Sequence, residues 1–297
     1  NQSYSSYNTT YLTLASIMEI DHPVTDQSAK YNNRGDFFPG IMHQDEKPVL
    51  LPEFISKIGN DFFWLGSETE GMSLWCQEWA NQPWICIDNS KTMTILRRLS
   101  RTIYYNTPLS FIIKIKFIFP NKQIDPQRTM KLYINYSKKN IDSNGSKFVF
   151  IHQMSPHSPY LVSENCKPKQ HTVKFEGYRA SYNCVLKEVL DFMKYINTFD
   201  PNSIVVFQGD HGINDEDLLK KYKTSEEKLF FKASIFNALK APKECFEKFK
   251  KPSTNVNTIR FVLNCAYELN LPFFETIHYE GFYEAHPEYG KVFAHIF

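Results

Sequence analysis

Ser203-Ile204-Val205-Val206-Phe207-Gln208-Gly209-Asp210-His211-Gly212 is the stretch whose reading decides the fold of this 297-residue chain. Ile204 to Phe207 form an unbroken β-branched and aromatic run, the pattern of a strand buried on both faces in a parallel sheet. Gly209 and Gly212 bracket Asp210 and His211, so the backbone turns just beyond the carboxyl end of that strand. Open α/β sheets place their ligands there. A carboxylate oxygen beside an imidazole nitrogen on such a turn makes Asp210 and His211 candidate ligands for one divalent metal. In isolation the dipeptide has a plainer reading, in which Asp210 caps the next segment and His211 lies on the surface.

Toward the N-terminus, Phe148-Val149-Phe150-Ile151-His152 is a second buried-strand candidate, and it runs into the proline-punctuated turn Gln153-Met154-Ser155-Pro156-His157-Ser158-Pro159-Tyr160. Two strands thus end in histidine-containing loops, which a doubly wound sheet brings to the same edge. His157, between two prolines, is the better candidate for contacting a substrate anion; His152 can equally be satisfied within the sheet. Tyr182 to Phe199 carries Val185, Val189, Phe192 and Ile196 at helical spacing, which completes a β-α-β unit with an expected right-handed crossover. Beyond Gly212, the charged stretch Asn214 to Lys228 reads as a lid or surface loop. Ala233 to Leu239 reads as a strand, and Asn255 to Cys265 as a helix capped by Asn255 or Asn257. The tail, with Tyr279, Tyr283, His286 and Tyr289, shows no period.

At the start of the chain, Tyr7 to Met18 passes from polar residues into a helical pattern with Leu12, Ala15 and Met18 on one face. Thr9 and Thr10 therefore lie at a helix start, where unpaired backbone N–H groups favour an anion. A hydroxyl there is either a helix cap or a nucleophile toward phosphate or sulfate. Leu50 to Ile58 is expected to be a short helix, Asp61 to Ser67 a strand ending in a turn, and Ser90 to Arg101 a helix. Ser110 to Phe119 is either a strand or a basic amphipathic surface, and Gln123 to Asn144 a polar surface excursion.

The length suits one large α/β domain or two small ones; a single domain over residues 1–297 is expected from the resemblance given below. A net charge of +2 with 22% charged residues provides no basic field for nucleic-acid phosphates, which turns the reading toward a pocket or a metal. No run approaches the roughly 20 apolar residues of a membrane span. The six cysteines fall into three local couples, Cys76 with Cys86, Cys166 with Cys184 and Cys245 with Cys265. None has the close spacing of a zinc ribbon, so disulfides and an oxidising compartment are expected.

Four stretches in this order, Asn8 to Ser16, Ser155 to Tyr160, Gln208 to Gly212 and Val256 to Arg260, resemble the sulfatase-like hydrolase/transferase branch of the alkaline phosphatase superfamily. The resemblance implies a three-layer α/β/α sandwich with a mainly parallel central sheet, and phosphoryl or sulfuryl transfer through a covalent intermediate. It also implies one divalent metal ion, either Mn, Zn, Mg or Ca. Carried over by position, Thr10 matches the nucleophile and a metal ligand, with Thr9 the runner-up. Asp210 and His211 match metal ligands, and His157 matches the histidine that holds the substrate anion. The chain lacks the Cys-x-Pro-x-Arg of sulfatases proper, which favours phosphoester or lipid head-group transfer over sulfate-ester hydrolysis. The family's first strand, with its metal-binding aspartate, has no counterpart ahead of the nucleophile loop, so an N-terminally incomplete domain is expected. The implied setting is the periplasmic or extracellular face of a bacterial inner membrane. Membrane association would come through upstream segments, and the substrate would be an envelope phospholipid, lipopolysaccharide or glycan. The alternative is a catalytically inactive sulfatase-fold module that binds or senses.

Overall fold

A computed structural model describes residues 2–25, 48–66, 83–87, 128–139, 145–281 and 292–297. Its elements are α1 (Thr10–Glu19), α2 (Leu50–Lys57), β1 (Asp61–Leu65), β2 (Trp84–Cys86), α3 (Arg128–Lys139), β3 (Lys147–Ile151), α4 (Lys174–Phe199) and β4 (Val205–Gln208). They are followed by α5 (Glu216–Leu219), α6 (Ser225–Ala233), β5 (Asn237–Lys240), α7 (Lys243–Lys248), α8 (Asn255–Tyr267), β6 (Ile277–Gly281) and β7 (Val292–Ile296).

β1 lies at the centre of a parallel sheet in the order β2-β1-β3. Its sequence explains that position, because side chains alternate across a strand and here both sets are apolar. Phe62 and Trp64 join Leu14, Met18, Leu51, Ile55 and Ile259 from α1, α2 and α8. Phe63 and Leu65 cluster instead with Leu132, Tyr136 and Ile151. Trp64 is fully buried, and each such side chain contributes roughly 1.5–3 kcal/mol. On the second face Met130 of α3 and Phe192 and Ile196 of α4 form a further cluster with Ile151, Val205 and Phe207. Helices therefore cover both faces, and the molecule is the expected α/β/α sandwich with a mainly parallel sheet.

Several local expectations change. The Ile204 to Phe207 run becomes β4, which is half-buried and pairs antiparallel with β5, Val205 opposite Lys240 and Gln208 opposite Asn237. An apolar run encodes burial but not direction; here the connection through α5 and α6 returns the chain in reverse. Among the described residues β3 and β4 share a core but no ladder. α4 begins at Lys174 rather than Tyr182, and Gly177 permits its close approach to the preceding loop, since a Cβ there would lie 2.7 Å from that of Tyr160. The supposed surface excursion contains α3, whose Thr129 and Met130 are buried while Lys131, Lys138 and Lys139 face outward. Its lysines hid a helical period.

The supposed lid is also structured. α5 buries Leu218 and Leu219, and α6 starts with a capping box in which Thr224 accepts from the Glu227 N–H and the Glu227 carboxylate reaches back. The cap of α8 is Thr254, not Asn255 or Asn257. The tail folds as the hairpin β6-β7 with Tyr279 inside, while Tyr283, His286 and Tyr289 lie outside the described residues. So do the stretches 90–101 and 110–119, and Cys76. Disulfides join Cys166 to Cys184 and Cys245 to Cys265, as the local couples predict.

Candidate active site

The approach to α1 is an extended strap. The Tyr4 N–H donates to the Ser253 carbonyl and the Ser5 N–H to that of Ala233, while the Ser6 carbonyl accepts from Tyr279. Asn8 then locks the turn: its side chain donates to the Gly281 carbonyl and accepts from the Gly281 N–H, both at 2.9 Å. Helix α1 follows at once, with Thr9 in the extended N-cap position and Thr10 as the first helical residue. The Thr9 hydroxyl is buried and makes no hydrogen bond. The Thr10 hydroxyl donates to Asp210 Oδ2 at 2.5 Å. This contact separates the two threonines, which the sequence alone left as alternatives.

On the other side, β4 delivers the loop Gly209 to Gly212. Gly212 is required for close approach: an added Cβ would lie 2.1 Å from the Phe231 carbonyl oxygen and 2.6 Å from that of Lys232. The loop is thereby pressed onto the end of α6. His211 places Nδ1 2.8 Å from the Gly212 carbonyl, which assigns the proton to Nδ1 and leaves Nε2 with its lone pair, 3.5 Å from Asp210 Oδ2. Three donors of hard or borderline character therefore converge: Thr10 Oγ1, Asp210 Oδ2 and His211 Nε2. That donor set fits a single divalent ion such as Mn, Zn, Mg or Ca. Burial pushes the Asp210 carboxyl up, but His211, His152, the Thr10 hydroxyl and the His211 N–H together outweigh it and hold the group below the usual range.

Among the described residues, one group of three His, Cys, Asp or Glu side chains lies close enough to share an ion, namely Cys166, Cys184 and Glu188. Its two sulfurs are joined in a disulfide and cannot act as thiolate ligands.

His157 is exposed, as are Ser158 and Pro159 after it, whereas Ser155 is buried; its Nδ1 lies 2.5 Å from the Ser158 carbonyl. No hydrogen bond joins His157 to Thr10 or Asp210. His152 is more deeply engaged. Its pKa is lowered first by burial, with Asp210 pulling upward and His211 and His157 pushing further down, which puts all four groups in one electrostatic neighbourhood. The sequence left His152 undecided between sheet and site, and its place directly after β3 was the available signal. Three asparagines were given no role in the site by the sequence: Asn8, read as part of a helix start, Asn214, whose side chain donates to the Asn8 carbonyl, and Asn255, read as a helix cap. The Val256 to Arg260 motif is architectural. Thr258 accepts from Gln208 of β4, and Arg260 donates twice to the Ile20 carbonyl at the end of α1 while lying 3.8 Å over the Phe274 ring.

The chain is thus a two-faced α/β sandwich in which a hydroxyl at a helix start faces an Asp-His pair at a strand end. The sequence profile named Sulfatase matches residues 1–242. The chain belongs to the sulfatase family. A comparison with curated proteins returned no match. Among solved structures it is similar to Ps i-CgsB in complex with k-i-k-neocarrahexaose, at a TM-score of 0.52 and 11% identity over 89% of this chain and 63% of that one. It is also similar to the lipoteichoic acid synthase LtaP from Listeria monocytogenes, at a TM-score of 0.50 and 13% identity over the same shares. The chain thus spans less than two thirds of either structure.

Proposed function

We propose that this chain carries the site of an extracytoplasmic hydrolase or transferase of phosphate or sulfate esters. Thr10 is the nucleophile, Thr10, Asp210 and His211 hold one divalent ion, and His157 contacts the substrate anion. The observation that carries the reading is the Thr10–Asp210 hydrogen bond, which joins a helix-start hydroxyl to a strand-end carboxylate 200 positions away in the sequence. Thr10 Oγ1 forms the new ester bond to phosphorus or sulfur as the bond to the leaving alcohol breaks, and water or an acceptor alcohol then releases the group. An ion at these donors supplies charge neutralisation for the transferring group and a lowered hydroxyl pKa. Burial and the bond to Asp210 keep the Thr10 hydroxyl aimed at one point, and His152, its pKa lowered by burial, adds a neutral imidazole within the field of Asp210.

Phosphoester or lipid head-group transfer is favoured by a threonine in the nucleophile position. An envelope phospholipid, lipopolysaccharide or glycan is the substrate class supported by the two structural neighbours, one in complex with a carrageenan oligosaccharide and one a lipoteichoic acid synthase. The two disulfides formed wholly among the described residues support a periplasmic or extracellular setting. No helix among the described residues is long and apolar enough to cross a membrane.

Elemental analysis of the purified full-length protein tests the reading. Stoichiometric metal in the wild type that is lost in Asp210→Ala, with bis(p-nitrophenyl) phosphate turnover abolished by Thr10→Ala, is expected. Truncating His157 to Ala should cost about 10²- to 10³-fold in kcat if it stabilises the transferring anion. Absence of metal from the wild type refutes the catalytic reading in favour of a binding module.

A further inference from the structure

Asn255 is the first residue of α8 and is 1% exposed. Its side-chain oxygen accepts from the Ser6 N–H at 2.9 Å, and its side-chain nitrogen donates to the Gly209 carbonyl at 2.9 Å. Ser6 lies on the strap that leads into Thr10, and Gly209 immediately precedes Asp210. A single amide thus reaches both loops, which lie 249 and 46 positions from it in the sequence. The neighbouring Val256 N–H reinforces the first contact by donating to Ser6 Oγ at 3.2 Å. Helix α8 is itself held independently, through the Thr254 cap and through Asn257, which both accepts from and donates to the Phe274 backbone at 2.9 Å.

We propose that Asn255 is a positioning residue: by holding the Ser6 and Gly209 backbones to one amide on a fixed helix, it sets the distance between Thr10 and Asp210. An amide is suited to this because it donates and accepts at once, whereas a carboxylate only accepts and a hydroxyl is too short to span both loops. The Ser6 bond is buried and the Gly209 bond partly buried, so losing either leaves a backbone group unsatisfied, and the loops separate to find water. The consequence for metal binding rests on the function proposed above. The consequence for loop order does not.

The test compares wild type, Asn255→Asp and Asn257→Ala in the full-length protein. Both positions are buried and bridge two backbone groups, but Asn257 faces away from the site, so its variant reports general loosening of α8. Three measurements are made: thermal midpoint, hydrogen exchange in peptides covering residues 5–12 and 207–213, and Mn²⁺ binding by calorimetry. Both variants should melt lower. Only Asn255→Asp should accelerate exchange, chiefly in residues 207–213, because the Gly209 carbonyl loses its donor while a carboxylate still accepts from the Ser6 N–H, and it should weaken Mn²⁺ binding about 10- to 100-fold, the usual cost of removing support behind a ligand. Should Asn255→Asp fail to fold, Asn255→Ser carries the same comparison. The proposal is overturned if the Asn255 variant leaves exchange in residues 207–213 unchanged, if Asn257→Ala opens the same loop for an equal loss of melting temperature, or if Mn²⁺ binds as in wild type despite an opened loop. Wild-type protein that binds no Mn²⁺ while its loops still respond to Asn255→Asp upholds the positioning role and removes the proposed metal site instead.

Discussion

At the scale of single residues, the environment of His278 makes a sharp demand. It is fully buried on β6, with Nδ1 3.0 Å from Ser5 Oγ and 2.9 Å from the Ser5 carbonyl. Burial lowers its pKa to about 4, opposed by the Ser5 carbonyl and Glu280 and assisted by His295 and His211. In the unfolded chain the same ring titrates near 6.5, so between pH 6.5 and 4 the unfolded state takes up a proton that the native state refuses. The contribution to stability is complete above pH 6.5 and is lost as pH falls through that window, amounting to about 3 kcal/mol by pH 4. Urea unfolding from pH 7 to pH 4 should show this fall, and His278→Asn should flatten it by about one proton. His22, also brought to about 4 mainly by burial, keeps its own share of the slope in that variant. A wild-type stability independent of pH over this range contradicts the burial of both rings. Nothing in Ile277-His278-Tyr279 announced this, because burial of a lone histidine is decided by what packs over it.

At the scale of elements, the turn after β4 shows how a motif can be legible while its cause is not. The two glycines of Gly209-Asp210-His211-Gly212 read as a relaxed turn. Yet neither adopts a positive φ; Gly59 is the glycine that does among the described residues. Gly212 serves close packing instead, against three backbone carbonyls of the α6 end, whereas a Cβ on Gly209 would make only ordinary contacts near 3.6 Å. Gly212→Ala should therefore destabilise at or above the upper end of the about 1–3 kcal/mol typical of overpacking, and Gly209→Ala much less. Chemical denaturation of the two variants decides it, and equal effects would return the turn to a conformational explanation. The same scale explains the misread lid and excursion. Charged composition spoke for solvent exposure, but α6 uses Glu227 in a capping box and α3 turns its lysines to one side.

At the scale of the whole molecule, the core is built around β1, whose two apolar faces hold α1, α2 and α8 on one side and α3 with α4 on the other. The disulfides act outside that core. Cys166–Cys184 ties the segment beyond His157 to α4, and Cys245–Cys265 ties α7 to α8, closing loops of 18 and 20 positions. Loops of this size are worth about 3 kcal/mol each by chain entropy. Replacing Cys245 and Cys265 together by Ser should lower stability by about that amount, read from urea midpoints with and without reductant. No response to reductant in the wild type would mean that the bonds contribute nothing to the native balance. The Cys166 and Cys184 double variant should in addition loosen the His157 turn, because α4 anchors that loop.

What the sequence determined by itself was local and periodic: the apolar runs of β1, β3 and β4, the helical spacing of α1, α4 and α8, the cysteine couples, and the order of motifs that placed the chain in its family. These follow from side-chain pattern and turn chemistry within a few residues, which is what a linear text records. What only the tertiary structure decided depended on partners arriving from far along the chain. It turned Thr10 rather than Thr9 toward Asp210, ran β5 antiparallel to β4, drew His152 into the electrostatic field of Asp210, and gave Asn255 two loops to hold. A hydrogen bond or a strand direction is chosen by whichever complementary group packing brings within reach, and that choice exists only once the core has closed.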